Sequence, residues 1–193
     1  MDGKYIIISA PSGAGKTTIV KYLLNRGLHL EFSVSATTRI IRENETDGKD
    51  YYFLSVEEFK ERIKNDEFVE WQEVYRDHFY GTLKKETDRI WSNGNNALFD
   101  VDVRGGINLK KIFGEKSLSI FIMPPSLEVL EKRLVARGTD KPEKIKMRVE
   151  KAAEEILLSN QFDHTVVNEV LENAITETVK LIKAFYRKNL RNL

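Results

Sequence analysis

A short apolar run beginning at Tyr5 gives way at Ala10 to the stretch APSGAGKTT, which ends at Thr18. Glycines, a lysine and two hydroxyls in that order can cradle a polyphosphate. Successive backbone N–H groups of a glycine-rich turn, followed by a helix N-terminus, converge on one anion. Ser12, Gly13, Ala14 and Gly15 supply the turn, and Lys16 is placed to reach the outer phosphates. Thr17 and Thr18 open the helix, with the Thr17 hydroxyl positioned to ligate Mg²⁺. Asp100 ends the run ALFD, where a carboxylate directed at the same ion would sit, although acids are also common at strand-end turns. Ala10 takes the place of the usual first glycine, and Pro11 already confines it to extended conformations that alanine adopts without strain.

A nucleotide-binding loop does not by itself define a reaction. The block FSVSATTRIIRENETDGKDYYF, residues 32–53, adds a second candidate anion site. Arg39 and Arg42 lie three apart near Tyr51, and FYGT at 79–82 adds Tyr80. Guanidinium forks grip phosphate oxygens in pairs and keep their charge, and phenol hydroxyls complete the shell of a terminal dianion. Alone, two arginines at this spacing are equally well explained as solvated loop charges. Arg133 and Arg137, four apart, share one helix face, which on its own reads as a solvated stripe.

Composition limits the partners. Lys and Arg total 31 against 30 Asp and Glu, so no net positive field draws the molecule to nucleic acid or an acidic membrane. With 32% charged and 41% hydrophobic residues, no apolar run near a bilayer span and no signal-peptide core, the expectation is a cytoplasmic protein. The absence of cysteine excludes disulfides and thiolate chemistry. His29, His78 and His164 show no metal-ligand spacing among themselves. A monomer and a dimer are both compatible with the chain.

The elements that must position these groups alternate. Nearly continuous apolar runs at 5–9, 97–103, 118–124 and 164–168 read as strands buried on both faces. Helical spacing covers 15–26, 84–93, 104–112, 126–137, 142–160 and 170–189, with Gly94 and Gly138 as stops. This alternation predicts an α/β fold of the P-loop NTPase type, a parallel sheet core flanked by helices. Residues 1–32, 84–125 and 150–193 would form the core; 33–83 a small, mostly β insert; and 126–149 a charge-dense helical lid.

These blocks resemble guanylate kinases. SVSATTR, DGKDYYF, EFVEW, YGT, LFDVDVRGG, RLVARGT and VVN occur in that family's order and near its spacing, from residue 6 to about 169. The resemblance implies an enzyme that moves the γ-phosphoryl group of ATP onto GMP, and dGMP as well, with Mg²⁺. It implies that Ser35, Glu70 and Thr82 contact guanine, that Arg39, Arg42, Tyr51 and Tyr80 hold the GMP phosphate, and that Asp102 lies near the nucleoside. It further implies that Arg133, Arg137 and Arg148 act with Lys16 and Arg39 in catalysis. Arg137 would reach the ATP phosphates and Asn168 would lie near the adenine.

The residue types suit the task. Guanine presents two adjacent donors, N1–H and the exocyclic N2–H₂, which one carboxylate can accept together. A site built on that pairing rejects analogues lacking the donors by about 10⁴ in favourable cases. Without the resemblance, Glu70 in DEFVEW reads more readily as a solvated strand-edge acid than as a base contact. The chain departs from the family at Ile41, where proline usually precedes the second arginine, at Asn44 for a glycine, and at Arg104 for a glutamine. Two alternatives are a ribose bisphosphate kinase, which has no use for a carboxylate matched to guanine, and a non-catalytic phosphopeptide-binding module, which has no need of Gly15 and Lys16.

Overall fold

The computed structural model describes residues 3–138 and 140–190. Thr139 of the RGT sequence and the ends of the expected core, residues 1–2 and 191–193, lie outside the described residues. In chain order the elements are β1 (Tyr5–Ser9), α1 (Lys16–Leu24), β2 (Leu30–Phe32), β3 (Ala36–Thr37), β4 (Tyr52–Phe53), α2 (Val56–Lys64), β5 (Phe68–Tyr75) and β6 (His78–Leu83). They continue with α3 (Lys84–Ser92), β7 (Asn96–Val101), α4 (Val103–Phe113), β8 (Ser117–Met123), α5 (Leu127–Ala136), α6 (Pro142–Leu157), β9 (His164–Val167) and α7 (Leu171–Leu190).

The chain divides into two compact units. His29–Phe99, with the residues up to Lys4, forms the first; Tyr5–Leu28, with the chain from Asp100 onward, forms the second. This division places α3 and most of β7 in the same unit as residues 33–83.

In the second unit β8 lies between β1 and β9, and both pairings are parallel. All five residues of β1 are buried, as the unbroken isoleucine run requires of a strand covered on both faces. Gly106 allows α4 close against this sheet: a Cβ there would fall on Ser9 Oγ and crowd Phe162. Helices α5 and α6 pack through Leu130, Leu134, Ile145 and Ala152, all buried. Their termini follow capping chemistry. The Ser126 hydroxyl accepts the Val129 N–H at 3.2 Å, Pro142 occupies the first turn of α6, and Gly138 follows α5 with φ 66°.

In the first unit β2 pairs with β7 in parallel. A second sheet runs in the order β4-β3-β6-β5, with β6 antiparallel to both neighbours. Its apolar face carries Ala36, Phe59, Phe68, Phe79 and Leu83, and the Phe59 and Phe68 rings stack at 4.3 Å. Phe59 comes from α2, a helix additional to the predicted elements. A capping box fixes its start: Ser55 Oγ accepts the Glu58 N–H at 3.1 Å, and Glu58 accepts the Ser55 N–H at 2.8 Å.

Candidate active site

The second unit holds the glycine-rich loop. The loop closes on itself through the Ala14 N–H and the Pro11 carbonyl at 3.1 Å, and α1 begins directly after Gly15. Gly13 and Gly15 have φ of 97° and 94°, a conformation that side chains rarely tolerate. Gly15 has a second constraint, because a Cβ there would fall on the amide nitrogen of Asn168. That amide donates to the Ala14 carbonyl at 2.7 Å, so the buried Asn168 braces the loop. Arg133 in turn donates to the Asn168 carbonyl at 2.9 Å, tying α5 to the same brace.

The loop borders a cavity of about 470 Å³. Ser12, Gly13, Gly15, Lys16, Thr17, Thr18, Arg133, Arg137 and Arg148 line it, and so does Asp102. Ala14, within the loop, is fully buried and does not line the cavity. Asp100 does not line the cavity but is held next to it, its carboxylate 2.6 Å from the lining Lys16 Nζ, which also donates to the Val101 carbonyl at 2.6 Å. Asp102 caps α4, accepting the Gly105 N–H at 2.7 Å. Arg148 is shared between Ser12 Oγ at 3.0 Å and the Asp140 carboxylate at 3.4 Å.

Two charged lining residues were not among the sequence candidates. Lys151 and Glu155 follow Arg148 at helical spacing on α6 and pair at 3.5 Å. Burial, reinforced by the charge of Asp102, pushes the Glu155 carboxyl upward against the pull of Lys151 and Lys16. The signal was available, since positions 148, 151 and 155 share one face once α6 is assigned.

The first unit holds the second group of candidates. Across β5 and β6, Glu70 faces Thr82 and Gln72 faces Tyr80, so these four share one face of the sheet. Thr82 Oγ1 donates to Glu70 Oε1 at 3.0 Å. Tyr51 meets the Tyr80 ring edge-on at 6.1 Å, and the Arg39 guanidinium lies 4.9 Å from the Tyr51 ring centre. Arg42 is exposed, and its N–H is held by Glu45 at 2.9 Å. The structure therefore brings Glu70 to Thr82, and Arg39 to Tyr51 and Tyr80.

Ser35 is set by backbone: its carbonyl accepts the Tyr52 N–H at 2.9 Å. The neighbouring Val34 N–H donates to Glu86 at 2.9 Å. Glu86 is 1% exposed and also accepts from the Tyr52 hydroxyl at 3.0 Å and from Arg89 at 2.8 Å. Burial opposes its ionisation, yet Arg89, the Val34 amide and the Tyr52 hydroxyl together hold its carboxyl below the usual range. In the sequence KKETDRI nothing distinguishes this acid from a solvated first-turn glutamate.

Comparison with known proteins gives the family. The guanylate kinase family model matches residues 2–185. A guanylate kinase of Bacteroides thetaiotaomicron is 52% identical over 188 residues, which is 97% of this chain and 92% of that protein. One from Porphyromonas gingivalis is also 52% identical, over 96% of this chain and 99% of that protein. Among solved structures, a guanylate kinase from Anaplasma phagocytophilum aligns with a TM-score of 0.75 at 34% identity, covering 94% of this chain and 85% of that one.

Proposed function

This chain belongs to the guanylate kinase family, and from that premise we propose that it transfers the γ-phosphoryl group of ATP to GMP and dGMP. The observation that carries the choice of acceptor is the pairing of Glu70 with Thr82 on the β5–β6 face. A carboxylate there accepts the two guanine donors and leaves adenine, which offers an acceptor at N1, without a match. Arg39, Arg42, Tyr51 and Tyr80 bind the GMP phosphate, Ser35 supports the base, and Asp102 serves the nucleoside from the end of β7.

On the donor side, Ser12 to Thr18 wrap the ATP phosphates with backbone N–H groups, while Lys16 neutralises the outer ones. Asn168 keeps the loop in shape by its bond to Ala14. Arg133, Arg137 and Arg148 line the same cavity and bear on the charge that spreads over the transferring group. Residues 126–149 act as a lid, 33–83 as the GMP-binding segment, and the remainder as core.

The donor set fits Mg²⁺. Thr17 and Asp100 offer hard oxygen ligands beside the loop, and this ion is ordinarily bound by one or two such groups together with substrate phosphates. When bound, it neutralises charge on the phosphate oxygens. Among the described residues there is no cluster of three or more His, Cys, Asp or Glu that could hold a metal alone. No general base is required, because the attacking phosphate oxygen has a second pKa near roughly 6 and is already ionised at neutral pH. Catalysis is then positioning and charge neutralisation. ATP and GMP are the partners, and the site is expected to work in the cytoplasm; no helix among the described residues is long and apolar enough to cross a membrane.

A coupled assay with ATP and a panel of GMP, dGMP, AMP, UMP, ribose bisphosphate and a phosphopeptide tests this reading. Turnover confined to guanine nucleotides is expected. Turnover of ribose bisphosphate, or phosphopeptide binding without turnover, would overturn it.

A further inference from the structure

The Arg39 guanidinium is already gripped along one edge by an acid from its own loop. Its Nη1 and Nη2 donate to Glu45 Oε2 and Oε1 at 2.7 and 2.5 Å, and Nη1 also donates to the Ile40 carbonyl at 3.0 Å. The guanidinium lies beside two aromatic rings, 4.9 Å from the centre of Tyr51 and 5.5 Å from that of Phe53. Glu45 Oε2 accepts the Arg42 N–H as well, at 2.9 Å. One carboxylate thus fixes the first arginine by its side chain and the second by its backbone.

Two arrangements share these contacts but differ in consequence. In one, Glu45 occupies the place of a phosphate and competes with it. In the other, it binds an edge that the phosphate does not need. A guanidinium carries five N–H groups. Both Nη1 hydrogens and one Nη2 hydrogen are committed at the outer end of the fork. The Nε–H and the second Nη2–H point together along the other edge, and neither has a hydrogen-bond partner among the described residues. Two parallel N–H groups form the fork that takes an oxyanion in bidentate fashion.

We propose that Glu45 is a positioning residue for the phosphoryl acceptor: it clamps the Nη1–Nη2 edge of Arg39 so that the Nε–Nη2 edge is presented to the phosphate of GMP. The inference rests on the assignment of Arg39 to the GMP phosphate. The gain is one of pre-organisation, since a long side chain ordered before binding loses less freedom on binding, an effect of about tenfold in affinity for one residue. The Tyr51 and Phe53 rings bound the space around the guanidinium, and the two bonds to Glu45 fix which of its edges is left open.

The test is a double-mutant cycle of Glu45→Gln and Arg39→Ala, read as KM for GMP, kcat, and dissociation constants for guanosine and ATP. Glu45→Gln should raise KM for GMP about tenfold with kcat affected much less. Guanosine, which lacks the phosphate, should bind as in the parent protein. The double variant should be no worse than Arg39→Ala alone, because glutamine keeps an oxygen to accept the Arg42 N–H and the rest of the effect acts through Arg39. A lower KM for GMP in Glu45→Gln would show that the acid competes with the phosphate and overturn the proposal. Multiplying losses in the double variant, an unchanged KM, or an equal loss of guanosine binding would also overturn it. Should Glu45→Gln fail to fold, Glu45→Asp, which keeps the charge on a shorter arm, takes its place with the same outcomes. If the parent protein does not use GMP at all, the functional reading fails; if it does and Glu45 proves indifferent, only this inference fails.

Discussion

At the scale of single residues the chemistry is set by which acids are paired and with what. Glu45 faces Arg39 through two hydrogen bonds and Arg42 through a third, and these contacts hold its carboxyl well below the usual range, at about 2. A carboxyl depressed in the fold stabilises it fully above its unfolded value and ceases to do so as pH falls toward the folded one. For Glu45 that window runs from about 4.5 down to about 2. Denaturant unfolding between pH 6 and 2.5 should therefore show Glu45→Gln less stable than the parent at the upper end, with the gap narrowing on acidification. A gap independent of pH would mean that the carboxylate charge contributes nothing. Glu45 was not a sequence candidate. Its role depends on the turn that folds residue 45 back onto residue 39, and ENET carries no periodicity that predicts such a return.

At the scale of elements, the site depends on braces that hold short segments in shape. Gly15 meets two demands at once, a φ of 94° and the proximity of the Asn168 amide. Gly15→Ala should strain the loop by about 1–3 kcal/mol and weaken ATP binding at least about tenfold, measurable by calorimetry, with guanosine binding unchanged. Glu86 does comparable work for the segment that carries Ser35. Removing it orphans the Val34 N–H, the Tyr52 hydroxyl and one side of Arg89. Glu86→Ala should cost about 3 kcal/mol in thermal or denaturant unfolding, the scale of a broken buried charge network. A loss below about 0.5 kcal/mol would show that the network is dispensable.

Much at this scale was legible in the chain. The isoleucines of β1 and the stops at Gly94 and Gly138 lie where the sequence puts them, and both glycines have positive φ, at 74° and 66°. The helix α2 was not read. VEEFKERIK buries only Phe59 fully, so its periodic signal is weak and its best marker is the Ser55–Glu58 cap. The loop, its lysine and the arginines of α5 and α6 were legible because local spacing fixes them. The Val34 and Tyr52 partners of Glu86 and the Ala14 partner of Asn168 were not, because each is reached from a distant part of the chain.

At the scale of the whole molecule, the two groups of candidates fall in separate compact units. Glu70, Thr82, Arg39, Tyr51 and Tyr80 belong to one, and the loop with Lys16, Arg133, Arg137 and Arg148 to the other. Each unit has its own buried apolar residues, around Phe59 in the first and around Leu130 and Phe121 in the second. Recognition of acceptor and donor should therefore separate under mutation. Glu70→Gln is expected to lower kcat/KM for GMP about 10- to 100-fold, the worth of about 1.5–3 kcal/mol in hydrogen bonds to a charged group, while the dissociation constant for ATP stays within about twofold.

The central claim is that the Glu70 carboxylate reads two donors on the purine, and a comparison of GMP with IMP, which keeps N1–H but lacks the exocyclic amine, tests it most directly. The parent protein should prefer GMP strongly in kcat/KM, and Glu70→Gln should lose most of that preference because the GMP reaction falls further than the IMP reaction. If both nucleotides lose equally in Glu70→Gln, the carboxylate does not read the purine edge, and the account is contradicted.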